Sequence, residues 1–340
     1  MSVVLMPTFY KEGGGSLKIL LESASILRVS HKVLIKGPFA EADLENFEIP
    51  QSLDRLSKIF VVIKAMKAFF CEINTIKEIK PDIIYVHDMP SLYYYGIIAK
   101  ILKIKVVWHI HESEIYRIKR KINFFLSNKR IYISKFQMQE KDKSFCFIRN
   151  PVDLLDIDAK DIKYISNTKK IAFGIIGRVN KNKNQKFAID FAKRTKNILN
   201  IYGAIDDYDY FNELDINNKN VFYKGYLDLR DILCDIDIVF LPSFSESQGL
   251  AFLEAIANGK LVLAPSIIAF REIAENIGYE KYLYVQEDMD SCQEKLNMLL
   301  SIEDDMINNF KDKVMEFYSP LKFRNKLIKC FENISNRKQI

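Results

Sequence analysis

Short apolar runs rich in β-branched residues alternate with longer amphipathic segments along nearly the whole chain. In the first half, each short run is followed by a stretch whose apolar positions recur with helical spacing. This pattern predicts strands at Val3–Met6, Lys32–Lys36, Ile83–Val86, Lys105–Trp108, Arg130–Ile133 and Phe145–Ile148, and helices at Ser16–Val29, Leu53–Ile79 and Leu92–Lys103. Because helices of this length separate the strands, we expect parallel pairing through right-handed crossovers.

The second half repeats the pattern after a polar region, residues 150–169, that begins with Asn-Pro and is predicted to be a linker. A helix is predicted at Gln185–Lys196, and the tail from Asp290 onward is predicted to be helical. Strands are predicted at Ile171–Ile176, Leu199–Tyr202, Val221–Tyr223, Ile236–Phe240, Leu261–Ala264 and Tyr282–Val285. The chain is therefore predicted to be an α/β protein with two Rossmann-like, doubly wound parallel-sheet domains, residues 1–150 and 151–319, facing a cleft.

Composition narrows the function classes. The chain has 340 residues, of which 49% are hydrophobic and 28% charged, as in an ordinary globular protein of about two domains. The most apolar window, residues 59–73, is interrupted by Lys64, Lys67 and Glu72, so we expect no membrane span and no signal peptide. Five scattered cysteines predict neither disulfides nor a zinc site and favour a reducing cytoplasm. A net charge of +6 does not indicate nucleic acid as a partner.

One basic stretch leaves two interpretations open. Residues 116–139 contain seven basic residues, Arg117, Lys119, Arg120, Lys121, Lys129, Arg130 and Lys135, and no acidic residue. Aromatic and aliphatic residues alternate with them, so the segment 117–135 could contact an anionic membrane surface at the cytoplasmic face of the plasma membrane. The other interpretation is a solvated helix whose apolar side packs on its own domain.

The segment 241–275 contains the clearest candidate site. An apolar run ends at Pro242, a polar loop follows, and a helical pattern begins at Gly249. A helix N-terminus presents free N–H groups that bind anions. Glu246 and Glu254, with seven residues between them, flank that helix start and could accept hydrogen bonds from sugar hydroxyls. A phosphate site between two hydroxyl acceptors is what a nucleotide-sugar requires.

This segment resembles the donor-binding signature of the retaining GT-B glycosyltransferases of family 4, E-G-F-G-L followed by L-E-A and a glycine turn. The matching residues are Glu246, Gly249, Leu250, Leu253, Glu254, Ala255 and Gly259. Ser247 and Gln248 replace the usual Gly-Phe, so a nucleotide-facing ring is missing. Glu272 resembles the end of the signature but is also compatible with an exposed helix surface. The resemblance implies that residues 1–150 form the acceptor domain, that 151–319 bind the donor, and that a last helix, 320–340, returns to the first domain.

Two loops supply further candidates. Gly177, which follows a predicted strand, begins a segment that is similar to the family's G-R-L, three residues, K-N pattern, and this implies that Arg178 and Lys183 bind the donor diphosphate. Alone, this lysine-rich loop would be read as solvated surface. The glycines at 13–15 do not form an NAD fingerprint. The resemblance places Gly14 and Gly15 near the donor phosphate, with a flexible turn as the alternative.

The histidines lie in the first half of the chain. His87 and the pair His109 and His111 follow predicted strands, at the carboxyl ends where α/β sites form. The family has a histidine after the corresponding strand, usually followed by Asp or Glu, and His111-Glu112 fits best, although His109 remains an alternative. Its ring could bind a sugar hydroxyl. For His87 a structural role is favoured.

Together these residues predict a retaining glycosyltransferase of the hexosyltransferase type that uses a nucleotide-sugar, UDP favoured over GDP, and a glycan or lipid-linked acceptor in cell-surface polysaccharide assembly. The catalytic residues would be His111, Glu246, Arg178 and Lys183, with Gly249, Leu250 and Glu254 completing the donor site. We expect no cofactor and no metal, because no Asp-x-Asp motif is placed to bridge a metal ion to a diphosphate. Asp235 and Asp237 have the spacing but directly precede an apolar strand. The alternatives are a nucleotide-sugar epimerase or hydrolase of similar build, and a non-catalytic sugar-binding protein.

Overall fold

A computed structural model describes residues 1–9, 15–37, 55–112, 117–138, 142–155, 170–216 and 219–335. The described residues form two parallel sheets. The strands are β1 Val3–Pro7, β2 Lys32–Lys36, β3 Ile83–Val86, β4 Lys105–Ile110, β5 Lys129–Tyr132, β6 Phe145–Phe147, β7 Ala172–Ile176, β8 Ile198–Tyr202, β9 Val221–Gly225, β10 Ile238–Phe240 and β11 Leu261–Leu263. The α/β prediction with doubly wound parallel sheets is confirmed.

Helices connect the strands. They are α1 Gly15–Leu27, α2 Arg55–Ile79, α3 Met89–Leu102, α4 Arg117–Leu126, α5 Gln185–Thr195, α6 Tyr208–Glu213, α7 Leu229–Asp235, α8 Leu250–Ala257, α9 Ile268–Ile277, α10 Met289–Leu299, α11 Asp304–Tyr318 and α12 Pro320–Ser335. The described part of the chain contains no helix that is both long and apolar enough to span a bilayer.

The first sheet has the strand order β2-β1-β3-β4-β5-β6. Its central strands β3 and β4 are almost wholly apolar and buried on both faces, as expected when helices cover a parallel sheet. The chain reverses its winding direction between β1 and β3, which makes the carboxyl ends of these strands the switch point where ligands bind in doubly wound folds.

The second sheet has the strand order β11-β10-β7-β8-β9. Its winding direction reverses between β7 and β10, which are hydrogen-bonded neighbours. Close packing of the loops after β7 and β8 requires a glycine at Gly203, because a Cβ there would lie 2.1 Å from the carbonyl oxygen of Gly177. The second switch point therefore lies between β7 and β10.

Contacts divide the chain into two units. Unit 1 comprises Met1–Ile133, Gln139–Ile148 and Arg324–Ile340, and unit 2 comprises Ser134–Met138 and Arg149–Phe323. The main division, after Ile148, lies two residues before the position predicted from the sequence, and residues 134–138 belong to unit 2 although they were assigned to the first domain. In unit 1, α12 packs through Phe331, whose ring centroid is 5.0 Å from that of Tyr85. Lys105 also donates to the carbonyl oxygen of Ile334 at 2.7 Å.

One predicted strand is wrong. Residues 280–282 form a 3-10 turn, and Tyr284 makes a single parallel bridge with Pro265 instead of entering a strand. The bridge consists of two backbone bonds, from the Tyr284 N–H to Ala264 and from the Ser266 N–H to Tyr284. Burial of the Tyr284 ring explains why the segment looks like a strand in the sequence. The greater part of the predicted linker, residues 156–169, lies outside the described residues.

Candidate functional site

An ion pair occupies the switch point of unit 2. Lys183 lies in the 3-10 turn that follows β7, and Glu246 lies in the loop that follows β10. The Lys183 Nζ is 2.6 Å from the Glu246 Oε1, and the two side chains are 21% and 15% exposed. A partly exposed pair is screened less by solvent than a surface pair, and both side chains keep some exposure to solvent. The structure thus brings together two of the residues that the sequence predicted for the donor site.

Asn182 connects the two loops that carry this pair by hydrogen bonds. This residue was not among those that the sequence predicted for the site. Its side-chain amide donates to the carbonyl oxygen of Ser245 at 2.9 Å and accepts from the Ser245 hydroxyl at 3.0 Å. Its own carbonyl accepts from the Phe244 N–H at 2.8 Å. An amide that both donates and accepts is the side chain suited to this double contact. Asn182 therefore fixes the separation between the Lys183 turn and the Glu246 loop.

Arg178 has a different partner from Lys183. Its Nη1 lies 3.3 Å from the Asp206 Oδ1, and the Arg178 side chain is 57% exposed. Asp206 also accepts from the Asn180 amide at 2.9 Å, while the buried Gln185 donates to the Arg178 carbonyl oxygen at 3.1 Å. The structure therefore holds the turn around Arg178 firmly and keeps the guanidinium on an exposed carboxylate. That contact is weak enough for a more highly charged ligand to replace it.

The N-terminus of α8 is shaped by Gly249. Its φ of 77° lies in the left-handed region, and a Cβ there would come within 2.7 Å of the Phe270 ring. Glycine has no side chain with which to cap the helix, so the first amides, beginning with Leu250, have no side-chain cap. Uncapped N–H groups at a helix N-terminus are suited to bind anions. Glu254 lies on the same helix about one turn further along and is partly buried. Its role in the donor site stays a prediction.

Gln248, which replaces the family's phenylalanine, has a structural role. The side chain is buried, accepts from the Asn150 N–H at 3.3 Å and donates to the Asn150 carbonyl oxygen at 3.4 Å. A phenylalanine could make neither bond, so this chain uses the position to hold the start of the second unit. The sequence indicated only the loss of a ring, because the partner lies far away along the chain.

Glu272 does not lie on an exposed helix surface, which was the alternative that the sequence left open. Its carboxylate accepts from the Lys135 N–H at 2.8 Å and from the Phe136 N–H at 3.2 Å. An Arg149 nitrogen lies 4.0 Å away. Backbone amides that bond a carboxylate give charge-assisted hydrogen bonds. Glu272 therefore holds residues 134–138 within unit 2, and its match to the family signature was the only signal in the sequence.

Unit 1 has a histidine cluster at the carboxyl ends of β3 and β4. His87 Nδ1 and His111 Nε2 are 3.1 Å apart, and the Tyr85 hydroxyl lies 2.8 Å from His109 Nδ1. The rings of His87 and His111 are nearly parallel, with an interplanar angle of 18° and centroids 5.3 Å apart. The structure thus brings His111 together with both other candidates. The side chain of His87, favoured as merely structural from the sequence, contacts His111 directly.

Burial sets the protonation of this cluster. Desolvation lowers the pKa of His87 and of His109 well below the usual range and lowers the pKa of His111 to about 3. Desolvation also raises the pKa of Glu112 to about 7, although its carboxylate accepts from the backbone N–H of His111 at 3.2 Å. The imidazoles are therefore neutral at pH 7, and each can donate one hydrogen bond and accept another.

Only one group of potential metal ligands emerges within the described ranges. One nitrogen from each of His87, His109 and His111 lies within 4.8 Å of the others. The Asp-x-Asp pair lies elsewhere, at the amino ends of the strands. Asp235 accepts from the Tyr202 hydroxyl at 2.5 Å, and Asp237 accepts from the Ala172 N–H at 2.7 Å. Both carboxylates therefore support the sheet of unit 2.

Two remaining predictions fall partly outside the described residues. Gly14 is not among them, and Gly15 is the first residue of α1. In the basic stretch, α4 exposes Phe125 at 68%, with Lys100 5.0 Å from the centre of its ring. Arg130 takes no part in such a surface, because it is buried in a bidentate pair with Asp142 at 2.6 and 2.7 Å. The segment 117–135 is thus not one continuous basic face.

Each half of the chain matches a family model of glycosyltransferases. Residues 156–315 match the family model described as glycosyl transferases group 1, and residues 44–146 match the one described as glycosyl transferase 4-like. Among curated proteins, the chain is 25% identical over 314 residues to the UDP-Gal:alpha-D-GlcNAc-diphosphoundecaprenol alpha-1,3-galactosyltransferase of Escherichia coli, covering 81% of this chain and 78% of that protein. It is 24% identical over 293 residues to an uncharacterized 41.2 kDa protein in the cps region of Klebsiella pneumoniae, covering 71% of this chain and 75% of that protein.

Solved structures show the same fold. The crystal structure of Anabaena Alr3699/HepE in complex with UDP and glucose has a TM-score of 0.77 at 18% identity, and the match covers 98% of this chain and all of that one. The apo form of the lipopolysaccharide outer core galactosyltransferase WaaB has a TM-score of 0.67 at 18% identity, and the match covers 99% of this chain and 100% of that one.

Proposed function

The chain is a GT-B glycosyltransferase of the family 4-like type, and on that premise we propose that it transfers a hexose from a UDP-sugar to a hydroxyl of a glycan or lipid-linked glycan. The family and the glycosyltransferase class predicted from the sequence are confirmed, and the group 1 match and the galactosyltransferase relative support a hexosyltransferase. The lipid-linked acceptor and the setting in polysaccharide assembly are supported by the substrate in that relative's name.

The observation that carries the proposal is the ion pair of Lys183 and Glu246 at the switch point of unit 2. A diphosphate placed against the N-terminus of α8 competes for the Lys183 ammonium, because it carries more negative charge than one carboxylate. Once Lys183 turns to the diphosphate, Glu246 is free to accept a hydrogen bond from the transferred sugar. Glu254, further along α8, accepts from the ribose hydroxyls. Donor binding therefore separates the pair and assigns each partner a role.

In the reaction, the bond between the anomeric carbon and the β-phosphate oxygen breaks, and a bond to the acceptor oxygen forms on the same face. The acceptor's proton passes to the departing diphosphate. Lys183, Arg178 and the amides at Gly249 and Leu250 stabilise the charge that develops on that leaving group, at about 3 kcal/mol for a well-placed donor. The neutral His111 holds a sugar hydroxyl. Since cations of the protein neutralise the diphosphate, the reaction proceeds without Mg²⁺, Mn²⁺ or another cofactor.

The experiment is a transfer assay with UDP-, GDP- and ADP-hexoses and a diphosphoundecaprenol-linked sugar as acceptor, in the presence of EDTA. We expect transfer from a UDP-hexose with the anomeric configuration kept. Glu246→Gln should reduce turnover by about 100-fold or more, because the amide can neither balance the Lys183 charge nor accept as strongly. Glu275→Gln, on the exposed face of α9, is the matched control.

Distinct results would overturn separate parts of the proposal. Wild-type turnover in Glu246→Gln would remove the assigned site, and activity that is lost in EDTA and restored by Mn²⁺ would remove metal independence. Equal hexose release with and without acceptor would favour an epimerase or hydrolase, and donor binding without any product would favour a sugar-binding protein.

We also propose that α4 contacts an anionic membrane surface, which would keep the enzyme at the cytoplasmic face of the membrane that holds the acceptor. The support is the exposed side chains of Ile122 and Phe125 beside Lys121 on the same helix. Sedimentation with vesicles containing anionic lipid should fall markedly in Phe125→Ser. Equal sedimentation of this variant, or of wild type with purely zwitterionic vesicles, would contradict the contact.

A further inference from the structure

The proposed reaction uses one of the three clustered imidazoles, which leaves His87 and His109 without an assigned role. Both side chains are almost completely buried, at 1% and 0% exposure, whereas His111 is partly exposed. Histidine is not a residue that cores collect for packing alone, since each ring carries two polar nitrogens that need partners. Three such rings in contact therefore call for a chemical explanation.

The nitrogen positions suit a metal ion. Two nitrogens that bind one tetrahedral Zn²⁺ at about 2.0–2.1 Å lie about 3.3 Å apart. His87 Nδ1 and His111 Nε2 are already 3.1 Å apart. A ring nitrogen of His109 lies within 4.8 Å of a ring nitrogen of each of the other two histidines, so these atoms need to approach by at most about 1.5 Å. Rotation of an imidazole about its broad second torsion is enough for a movement of that size.

We propose that His87, His109 and His111 form a three-histidine site for a divalent transition-metal ion, with Zn²⁺ as the preferred occupant. An all-nitrogen ligand set selects Zn²⁺, Co²⁺, Ni²⁺ or Cu²⁺ over Mg²⁺, Ca²⁺ and Mn²⁺, which favour oxygen. Because His111 is the more exposed ligand, the fourth coordination position opens on its side and holds water. Three histidines with one exchangeable position is a common zinc arrangement.

Tyr85 supports this assignment. Metal-binding histidines generally use their second nitrogen for a hydrogen bond that fixes the ring, and the Tyr85 hydroxyl lies 2.8 Å from His109 Nδ1. This contact assigns Nε2 of His109 as the metal ligand. The Tyr85 side chain is itself fully buried in β3.

The metal site shares only His111 with the proposed transfer reaction. The diphosphate would bind to unit 2, whereas the three imidazoles belong to unit 1. Metal binding can therefore be present in a protein whose sugar transfer requires no metal, and either proposal can fail without the other.

The test uses the purified full-length chain, stripped with EDTA and then titrated with Zn²⁺ alone and with Co²⁺ alone. We expect about one ion per chain, detected by competition with a chromogenic zinc chelator, and the visible d–d absorption of tetrahedral Co²⁺. His111→Gln should abolish the absorption band, and because this ligand is only partly buried, its loss should leave the fold intact by circular dichroism. Tyr85→Phe should weaken Zn²⁺ binding by about 10-fold.

His31→Gln is the matched control, since His31 is a buried histidine of unit 1 that hydrogen-bonds to the Ser30 hydroxyl. It should bind Zn²⁺ like the wild type. Absence of a Co²⁺ band from the wild type would overturn the proposal. So would equal Zn²⁺ affinity in wild type and His111→Gln, which would place any bound ion on the cysteines or on the surface.

Discussion

The two units each contain a doubly wound parallel sheet, but the side chains at the carboxyl ends of their strands have opposite character. In unit 2 the switch point between β7 and β10 holds the charged Lys183–Glu246 pair. In unit 1 the strands β3 and β4 present neutral imidazoles at their carboxyl ends instead. One backbone plan therefore supports two chemistries, one suited to a polyanion and the other to neutral hydroxyls or to a metal ion.

The units also differ in what holds each site. Polar side-chain bonds from Asn182 and Gln248, together with Gly249, fix the loops of unit 2. The cluster of unit 1 is held by ring stacking and by contacts of the ring nitrogens with each other and with the Tyr85 hydroxyl. We expect mutations of loop residues to affect unit 2 most, and changes of pH to affect unit 1 most.

The largest expected effect comes from a mutation that distorts the N-terminus of α8 in unit 2. Gly249→Ala combines an unfavourable φ of 77° with a Cβ 2.7 Å from the Phe270 ring, so we expect a loss of about 3 kcal/mol in the free energy of unfolding. Gly278→Ala is the control, because its φ is 80° but its Cβ would meet only the Lys313 ammonium at 3.4 Å. Urea denaturation should show a loss of about 1 kcal/mol in the free energy of unfolding for the control. Equal losses would mean that the Phe270 overlap has no energetic weight.

A smaller effect distinguishes unit 1 by pH. The folded-state pKa of His111 is lowered to about 3 from 6.5, so only the unfolded chain gains a proton here as the pH falls below 6.5, and stability decreases. The raised pKa of Glu112 acts oppositely, with stability lost as the pH rises toward about 7. The difference between wild type and His111→Gln isolates the imidazole. Between pH 7 and pH 5 the free energy of unfolding of the wild type should fall by about 2 kcal/mol more than that of the variant. Parallel profiles would contradict a neutral His111 in the folded protein.

The smallest effect sharpens the role of Asn182. Asn182→Ala removes the two side-chain bonds to Ser245, so the Lys183 turn and the Glu246 loop should drift apart. We expect the KM for the donor to rise about 10-fold, with kcat changed less, since bonds of this kind contribute about 1 kcal/mol each. Lys181→Ala, an exposed neighbour in the same turn, should behave like the wild type. A fall in kcat with an unchanged KM would indicate that Asn182 does not position the donor site.

Sequence patterns were sufficient to predict the two parallel sheets. Alternating apolar runs report burial directly, and Asn184 adopts a left-handed conformation with a φ of 49°, which asparagine tolerates better than most residues. The prediction of a strand at 282–285 failed because buried aromatics look the same in a strand and in a bridge. The Arg178–Asp206 contact and the Gln248–Asn150 pair were missed for another reason, since each depends on a partner from a distant part of the chain.

The histidine cluster shows the same limit. His87 lies on β3 and His111 follows β4, and only the parallel register of these strands brings their rings together. Spacing along the chain gave no reason to join them, so His87 was interpreted as structural. Sites made from adjacent strands become visible once the strand order is known.

Titration of the chain with UDP by calorimetry, for wild type, Lys183→Ala and Lys181→Ala, tests the central claim most directly. The account predicts that Lys183→Ala weakens UDP binding by about 10- to 100-fold, because the diphosphate loses a charge-assisted partner, while Lys181→Ala binds like the wild type. Equal UDP affinity in all three proteins would contradict a donor site at the β7–β10 switch point.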